Sequence, residues 1–170
     1  MPPPALPSRA YLALGSNLGD RAANIHAALK LLVGPELRVT KLSTFLENPA
    51  VGGPPNSPDF LNAVAEIETS LDPHALLDRL LNTEAELGRI RTHKWAPRTI
   101  DLDIILYDNS VIHSPRLKIP HPLMHQRAFV LQPLAEIAPD ARDPISKQTA
   151  VELLKQFKEN SRRIDTDRHR

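Results

Sequence analysis

Two aspartates, Asp101 and Asp103, stand two residues apart in the run TIDLDIILY at 99–107. Successive side chains of a strand point to opposite faces, so both carboxylates leave on one face. Ile100, Leu102, Ile104 and Leu106 then enter the core on the other. The two aspartates are roughly 6.5–7 Å apart along the backbone. Neighbouring negative charges repel each other, and a cation held between them relieves the repulsion. Hard carboxylate oxygens suit Mg²⁺, which keeps several waters and shares phosphate oxygens. The same spacing also occurs on the solvated face of an edge strand, so the pair alone leaves both readings open.

Arg89, Arg91, Lys94 and Arg98 lie just upstream, with the only tryptophan, Trp95, among them. The whole chain has 21 basic and 20 acidic residues, a net charge of +1, so this is a local positive cluster. Cations facing a carboxylate pair fit a metal-bound polyanion, a nucleoside triphosphate above all, because arginine forks grip phosphate oxygens in bidentate fashion. A solvated loop whose cations offset nearby acids is the alternative. The sequence has no G-x-x-x-x-G-K-[ST] and no kinase glycine loop, so side chains must hold any phosphate. His121 and His125 are four apart, a metal-ligand spacing on a helix. Pro120 and Pro122 flank His121 and oppose a regular helix there. His121 then acts as a hydrogen-bond donor to phosphate or as part of a capped turn.

These residues need a scaffold. A strand is read at 11–14, followed by a turn and a helix over 21–32 capped by Asp20 and ended by Gly34 and Pro35. A second strand spans 39–45, and a third spans 60–68. In the third, Leu61, Ala63, Ala65 and Ile67 share one face, while Asn62, Val64, Glu66 and Glu68 share the other. Asp72 and Pro73 open a second helix, closed by Gly88, with Leu76, Leu77, Leu80, Leu81 and Leu87 as its apolar stripe. The proline-rich stretch 48–59 and the stretch 89–98 have no period and read as loops. After the 99–107 strand come a hairpin near 110–119, a short helix near 129–131 and a last helix near 149–157. The order β-α-β-β-α-β predicts an α+β fold with a ferredoxin-like core. In it, an antiparallel sheet carries helices on one face, with a C-terminal hairpin and helix added. Residues 1–8 read as a flexible extension, 9–159 as one domain, and 160–170 as a frayed polar tail.

Composition narrows the classes. A chain of 170 residues fits one domain and can bury roughly 70% of its unfolded surface. It has no cysteine, which excludes thiol catalysis, cysteine zinc sites, iron–sulfur clusters and disulfides. Balanced charge argues against a nucleic-acid or membrane coat. No apolar run approaches the roughly 20 residues of a spanning helix, and MPPPALPSR lacks a signal-peptide stretch. A cytoplasmic monomer is expected. Aromatic residues are only 4% of the chain, so the core is aliphatic and the positions of the few rings are informative.

The run WAPRTIDLDIILY closely resembles the signature of the 6-hydroxymethyl-7,8-dihydropterin pyrophosphokinases, enzymes of folate biosynthesis. YLALGSNLGDR, PDFLNAVAEIET and IPHPLMHQRAFVLQPLAEIAP match the same family in order, so the resemblance covers residues 11–139. It implies transfer of pyrophosphate from ATP to the pterin's hydroxymethyl oxygen, giving AMP and the pterin diphosphate. It further implies that Asp101 and Asp103 bind two Mg²⁺ ions, and that Arg89 and Arg98 act with them in catalysis. Glu84, Arg89, Arg91, Lys94, Trp95, Arg98, Ile104, His121 and Arg127 would contact ATP. Asn48, Pro49, Val51, Phe60, Asn62, Trp95 and Phe129 would form the pterin pocket, whose flat ligand needs ring faces to stack on. The loops 48–59 and 89–97 would close over both substrates. Four positions depart from the family pattern: Leu81 stands for a polar residue, Lys94 for an arginine, Asn48 for a threonine and Pro122 for a tyrosine. A D-x-D glycosyltransferase would need a larger nucleotide-binding domain. A non-catalytic ferredoxin-like ligand-binding module explains the fold but not the clustered charges.

Overall fold

A computed structural model describes residues 7–48, 59–88 and 99–168, with side chains through residue 163. The elements begin with β1 (Ser8–Ser16), α1 (Arg21–Leu32), β2 (Leu37–Leu42), β3 (Leu46–Asn48), β4 (Phe60–Thr69) and α2 (Pro73–Leu87). They continue with β5 (Asp101–Tyr107), β6 (Ile112–His113), β7 (Lys118–Ile119), a 3₁₀ turn (Met124–Gln126), α3 (Ala128–Ile137) and α4 (Ala150–Arg168). Both early helices start where the side-chain chemistry dictates. The Ala23 N–H donates to the Asp20 carboxylate at 3.1 Å, and the Ala75 N–H to Asp72 at 2.8 Å. Each bond satisfies a donor that the first helical turn leaves without a partner. Gly88 closes α2, its N–H donating to Glu84 O at 2.8 Å.

The main sheet is antiparallel with strand order β2–β4–β1–β5, and β3 extends the pairing along β4. β6 and β7 form a separate two-stranded ribbon. Helices α1 and α2 cover one face, where Leu12, Leu14, Ile25, Leu32, Leu76 and Leu80 are all buried. The other face is also covered. Helix α3 packs on it, α4 packs on α3, and Val64, Ile105, Leu131 and Leu134 form a second core. The expectation of helices on one face only is thereby corrected. The apolar stripe of α3 is carried by Val130, Leu131 and Leu134, a longer helix than 129–131. Helix α4 continues to Arg168, beyond 157 and through most of the stretch read as a frayed tail. No helix among the described residues is long and apolar enough to cross a membrane.

The second layer explains two local departures. On β4, Val64 and Glu66 share the face opposite Leu61, Ala63, Ala65 and Ile67, and both are buried on the α3 side of the sheet. Glu66 is tolerated there because Tyr11 Oη and Thr40 Oγ1 each donate to its carboxylate at 2.8 Å. On β5, the register against β1 shifts between Tyr11, which faces Leu106, and Leu12, which faces Ile104. Ile105 is the extra residue of this bulge. Side-chain alternation breaks at a bulge, so Leu106 joins Ile105 in the second core instead of Ile104 in the first. Leu81 also departs from its expected place. It is 46% exposed on α2, and Thr83 is buried on that helix instead.

Candidate functional site

The face carrying Asp101 and Asp103 is only partly roofed by α3, and the uncovered part is a cavity of about 420 Å³. Its floor is β1. Gly15 pairs across the sheet with Asn62 of β4 on one side and Asp101 of β5 on the other. One row further along, Ala13 pairs with Val64 and Asp103. Both aspartates therefore flank small residues on one face. Asp101 is half-buried and Asp103 is exposed. Asn48, Phe60 and Asn62 form one wall of the cavity; His121, Arg127 and Phe129 form another.

Asn62 is 8% exposed, and its Oδ1 is the one buried side-chain polar atom found without a hydrogen-bond partner among the described residues. An acceptor left unpaired in this way costs about 1–3 kcal/mol, so a ligand N–H that meets it gains affinity. The Arg127 guanidinium lies 5.6 Å from the centroid of the Phe129 ring, a cation–π distance. This contact fixes a cation and a ring face together at the start of α3.

His121 is held from two sides. Its backbone N–H donates to Ile105 O at 2.9 Å, and its Nδ1 accepts the Leu123 N–H at 3.1 Å. With Nδ1 as acceptor, a neutral ring carries its proton on Nε2 and can donate from there. Burial pushes the His121 pKa down. The nearby Asp103 charge works against that and Arg127 works with it.

Asp103 and His121 also border a second cavity of about 250 Å³ around the edge of β5. Its walls include Ile104, Arg116, Lys118 and Pro122. Arg116 is tethered to Asp78 by an ion pair of 2.6 Å in which both side chains are more than half exposed. Asp103 and His121 thus form a partition between a cavity that offers a buried amide acceptor and ring faces and a smaller one edged by two cations. A ligand in each would meet at this partition.

Of the residues predicted from sequence, Asn48, Phe60, Asn62, Asp101, Asp103, His121, Arg127 and Phe129 come together around the larger cavity. Ile104 does not. Its side chain is buried in the α1/α2 core and borders only the smaller cavity. Glu84 lies behind β5, where its Oε2 accepts the Leu102 N–H at 2.8 Å, between the two aspartates in sequence. Pro122 edges the smaller cavity, and Leu81 edges neither. Pro49, Val51, Arg89, Arg91, Lys94, Trp95 and Arg98 lie outside the described residues, as do nearly all of the loops 48–59 and 89–97. Sequence reasoning missed Gly15, Ala13, Gln126, Arg116 and Lys118. The last two alternate with Leu117 in a short run that leads into β7 at Lys118, which was the one available signal.

No group of three or more His, Cys, Asp or Glu side chains is placed to hold a metal among the described residues. The donor set is a carboxylate pair beside a cavity. That suits Mg²⁺, which takes one or two carboxylates and completes its shell with water and phosphate oxygens.

The family model for 7,8-dihydro-6-hydroxymethylpterin-pyrophosphokinase (HPPK) matches residues 11–139. Three curated relatives carry the name 2-amino-4-hydroxy-6-hydroxymethyldihydropteridine pyrophosphokinase. The Haemophilus influenzae protein is 49% identical over 150 residues, covering 87% of this chain and 92% of that protein. The Pseudomonas aeruginosa protein is 47% identical over 138 residues, covering 80% and 84%. The Bacillus subtilis protein is 43% identical over 154 residues, covering 89% and 92%. Among solved structures, a Plasmodium falciparum HPPK-DHPS matches with a TM-score of 0.71 at 15% identity. The match covers 89% of this chain and 45% of that one, so this chain spans under half of that longer protein. At such low identity the likeness concerns the fold alone.

Proposed function

The chain belongs to the 7,8-dihydro-6-hydroxymethylpterin-pyrophosphokinase family, and from that premise we propose that it transfers pyrophosphate from ATP to the hydroxymethyl group of 6-hydroxymethyl-7,8-dihydropterin in folate biosynthesis. The pterin oxygen bonds to the β-phosphorus, and the bond from that phosphorus to the α–β bridging oxygen breaks. AMP leaves, and the hydroxyl proton passes to solvent. The observation that carries this reading is the partition of Asp103 and His121 between two unlike cavities. Transfer between two bound molecules needs the reacting groups of both at one wall, held in line.

The larger cavity takes the pterin. Asn62 Oδ1 accepts from the amide edge of the ring, and Phe60 and Phe129 offer ring faces to a flat heterocycle. Arg116 and Lys118 attend the nucleotide side, together with Arg89, Arg91, Lys94, Trp95 and Arg98 as the family resemblance implies. His121 donates from Nε2, and Arg127 pairs with phosphate oxygens that approach the partition. Asp101 and Asp103 would hold Mg²⁺, two ions by the family pattern. When bound, Mg²⁺ neutralises phosphate charge and favours in-line displacement. Glu84 serves the site by holding Leu102 and therefore β5. The strand order around α1 and α2 supports a ferredoxin-like core with α3 and α4 added. The reading extends to a cytoplasmic monomer that binds neither nucleic acid nor membranes.

The test is ³¹P NMR of the protein with Mg²⁺, ATP and the hydroxymethyl pterin. AMP with pterin diphosphate is expected. ADP with pterin monophosphate refutes pyrophosphoryl transfer.

A further inference from the structure

Gly15 occupies the middle of the cavity floor, between Asn62 and Asp101. Its backbone does not demand glycine, because Gly19 is the glycine with a positive φ among those described. Space is the constraint. A Cβ at position 15 would lie 2.8 Å from Asn62 Nδ2 and 3.4 Å from Phe60 Cδ1. The first distance is well inside van der Waals contact, and the atom met is the end of the Asn62 side chain, so it is this amide that must shift. That amide carries the Oδ1 acceptor that has no partner.

We propose that Gly15 is a positioning residue. By lacking a Cβ it lets the Asn62 amide lie against β1, and it thereby fixes the buried Oδ1 acceptor that reads the edge of the ring ligand. The identity of that ligand rests on the proposed function. The steric dependence of Asn62 on Gly15 does not. Any side chain at 15 pushes the amide off its position and narrows the slot beside Phe60, while the nucleotide cavity beyond Asp103 is untouched.

Gly15→Ala is expected to raise the KM for the pterin about tenfold or more, the effect of losing one hydrogen bond to a polar ligand group. The KM for ATP should stay within about twofold, because no lining residue of the smaller cavity is displaced. Asn62→Ala should do the same. The double variant Gly15→Ala/Asn62→Ala should be no worse than Asn62→Ala alone, because the shortened side chain leaves room for the new methyl. If Gly15→Ala folds poorly, the double variant relieves the clash and decides the matter through the same comparison. In the ligand-free protein, the Asn62 side-chain amide cross-peak in a ¹H–¹⁵N spectrum should shift in Gly15→Ala. An unmoved cross-peak, an unchanged pterin KM, or full additivity of the two substitutions overturns the proposal. Wild-type protein that neither binds nor turns over the pterin refutes the functional reading instead, and the cross-peak still tests the steric claim.

Discussion

Replacing Asp103 by asparagine should move activity and stability in opposite directions. The substitution keeps the side-chain shape and removes one charge. In the ligand-free protein Asp101 and Asp103 project from the same face of β5, roughly 6.5–7 Å apart. Their repulsion at 7 Å is about 0.6 kcal/mol in water-like surroundings and about 2.4 kcal/mol at an effective dielectric of 20. Asp103 is exposed, so the smaller figure applies. Asp103→Asn should therefore leave the fold unchanged or stabilise it by about 0.5 kcal/mol, a rise of about 1–2 °C in Tm for a chain of this size. Turnover should fall by at least about 10²–10³-fold, the cost of losing one preorganised electrostatic contact to the transition state, about 2.7–4 kcal/mol. The assay pairs AMP release under saturating Mg²⁺, ATP and pterin with urea denaturation of the same preparation. A variant within tenfold of wild-type turnover would sink the assignment of Asp103 to the metal. Turnover lost in step with stability would show a structural carboxylate instead.

Three further perturbations test the supports of the site. Burial raises the Glu66 pKa, but hydrogen bonds from Thr40 and Tyr11 outweigh it and hold the carboxyl below its ordinary value. Its stabilisation is therefore present above the unfolded pKa near 4.5 and lost as pH falls through the lower folded value. Urea denaturation between pH 3 and 6 should show a shallower acid loss for Glu66→Gln than for wild type, and equal slopes contradict the network. Glu84→Ala should cost about 1–3 kcal/mol by stranding the Leu102 N–H, while Glu84→Gln keeps an acceptor and costs less. Equal denaturation midpoints for the two variants would remove Glu84 from the support of β5. Arg116→Ala should raise the KM for ATP about tenfold or more and spare that of the pterin, whereas Asp78→Ala should change stability by less than about 1 kcal/mol, because the ion pair is exposed. A pterin-selective effect of Arg116→Ala would put the nucleotide in the wrong cavity.

Local chemistry was legible from the sequence wherever one element decided it. Asp20, Asp72 and Pro73 start their helices as read, and the aspartates of β5 share a face because strand alternation holds up to Ile104. What depended on distant packing was not legible. The bulge at Ile105 inserts one residue between flanking apolar positions, so it leaves no mark in an all-apolar run, and Leu106 lies in the second core and not with Ile104. The roofing of the second face by α3 could not be read from β4, where Val64 is the one apolar residue on a face shared with Asn62, Glu66 and Glu68. Arg116 and Lys118 were hidden because only the fold of the β6–β7 ribbon brings them beside Asp103. Gly15 could be read only as part of a turn, since the neighbour that requires it, Asn62, comes from another strand.

The placement of the site follows from where the cover of α3 begins. Three rows of residues run across β4, β1 and β5 on one face of the sheet. In the row Glu66–Tyr11–Leu106, every side chain is buried and belongs to or borders the second core. In the next, Val64 is still covered, Ala13 is half-covered and Asp103 is exposed. In the last, Asn62, Gly15 and Asp101 all line the cavity. One sheet face thus changes from core to cavity lining over two steps of alternation, about 13 Å of strand. Arg127 and Phe129 stand at the boundary because they begin the helix that provides the roof. The bulge at Ile105 fits the same division. Beyond it, β5 turns both Ile105 and Leu106 toward α3, which deepens the apolar contact at the covered end and leaves the strictly alternating half of the strand to carry the two aspartates. The rigidity that the proposed metal role of this carboxylate pair would need comes from a strand buried on one face along its whole length and on the other from its midpoint.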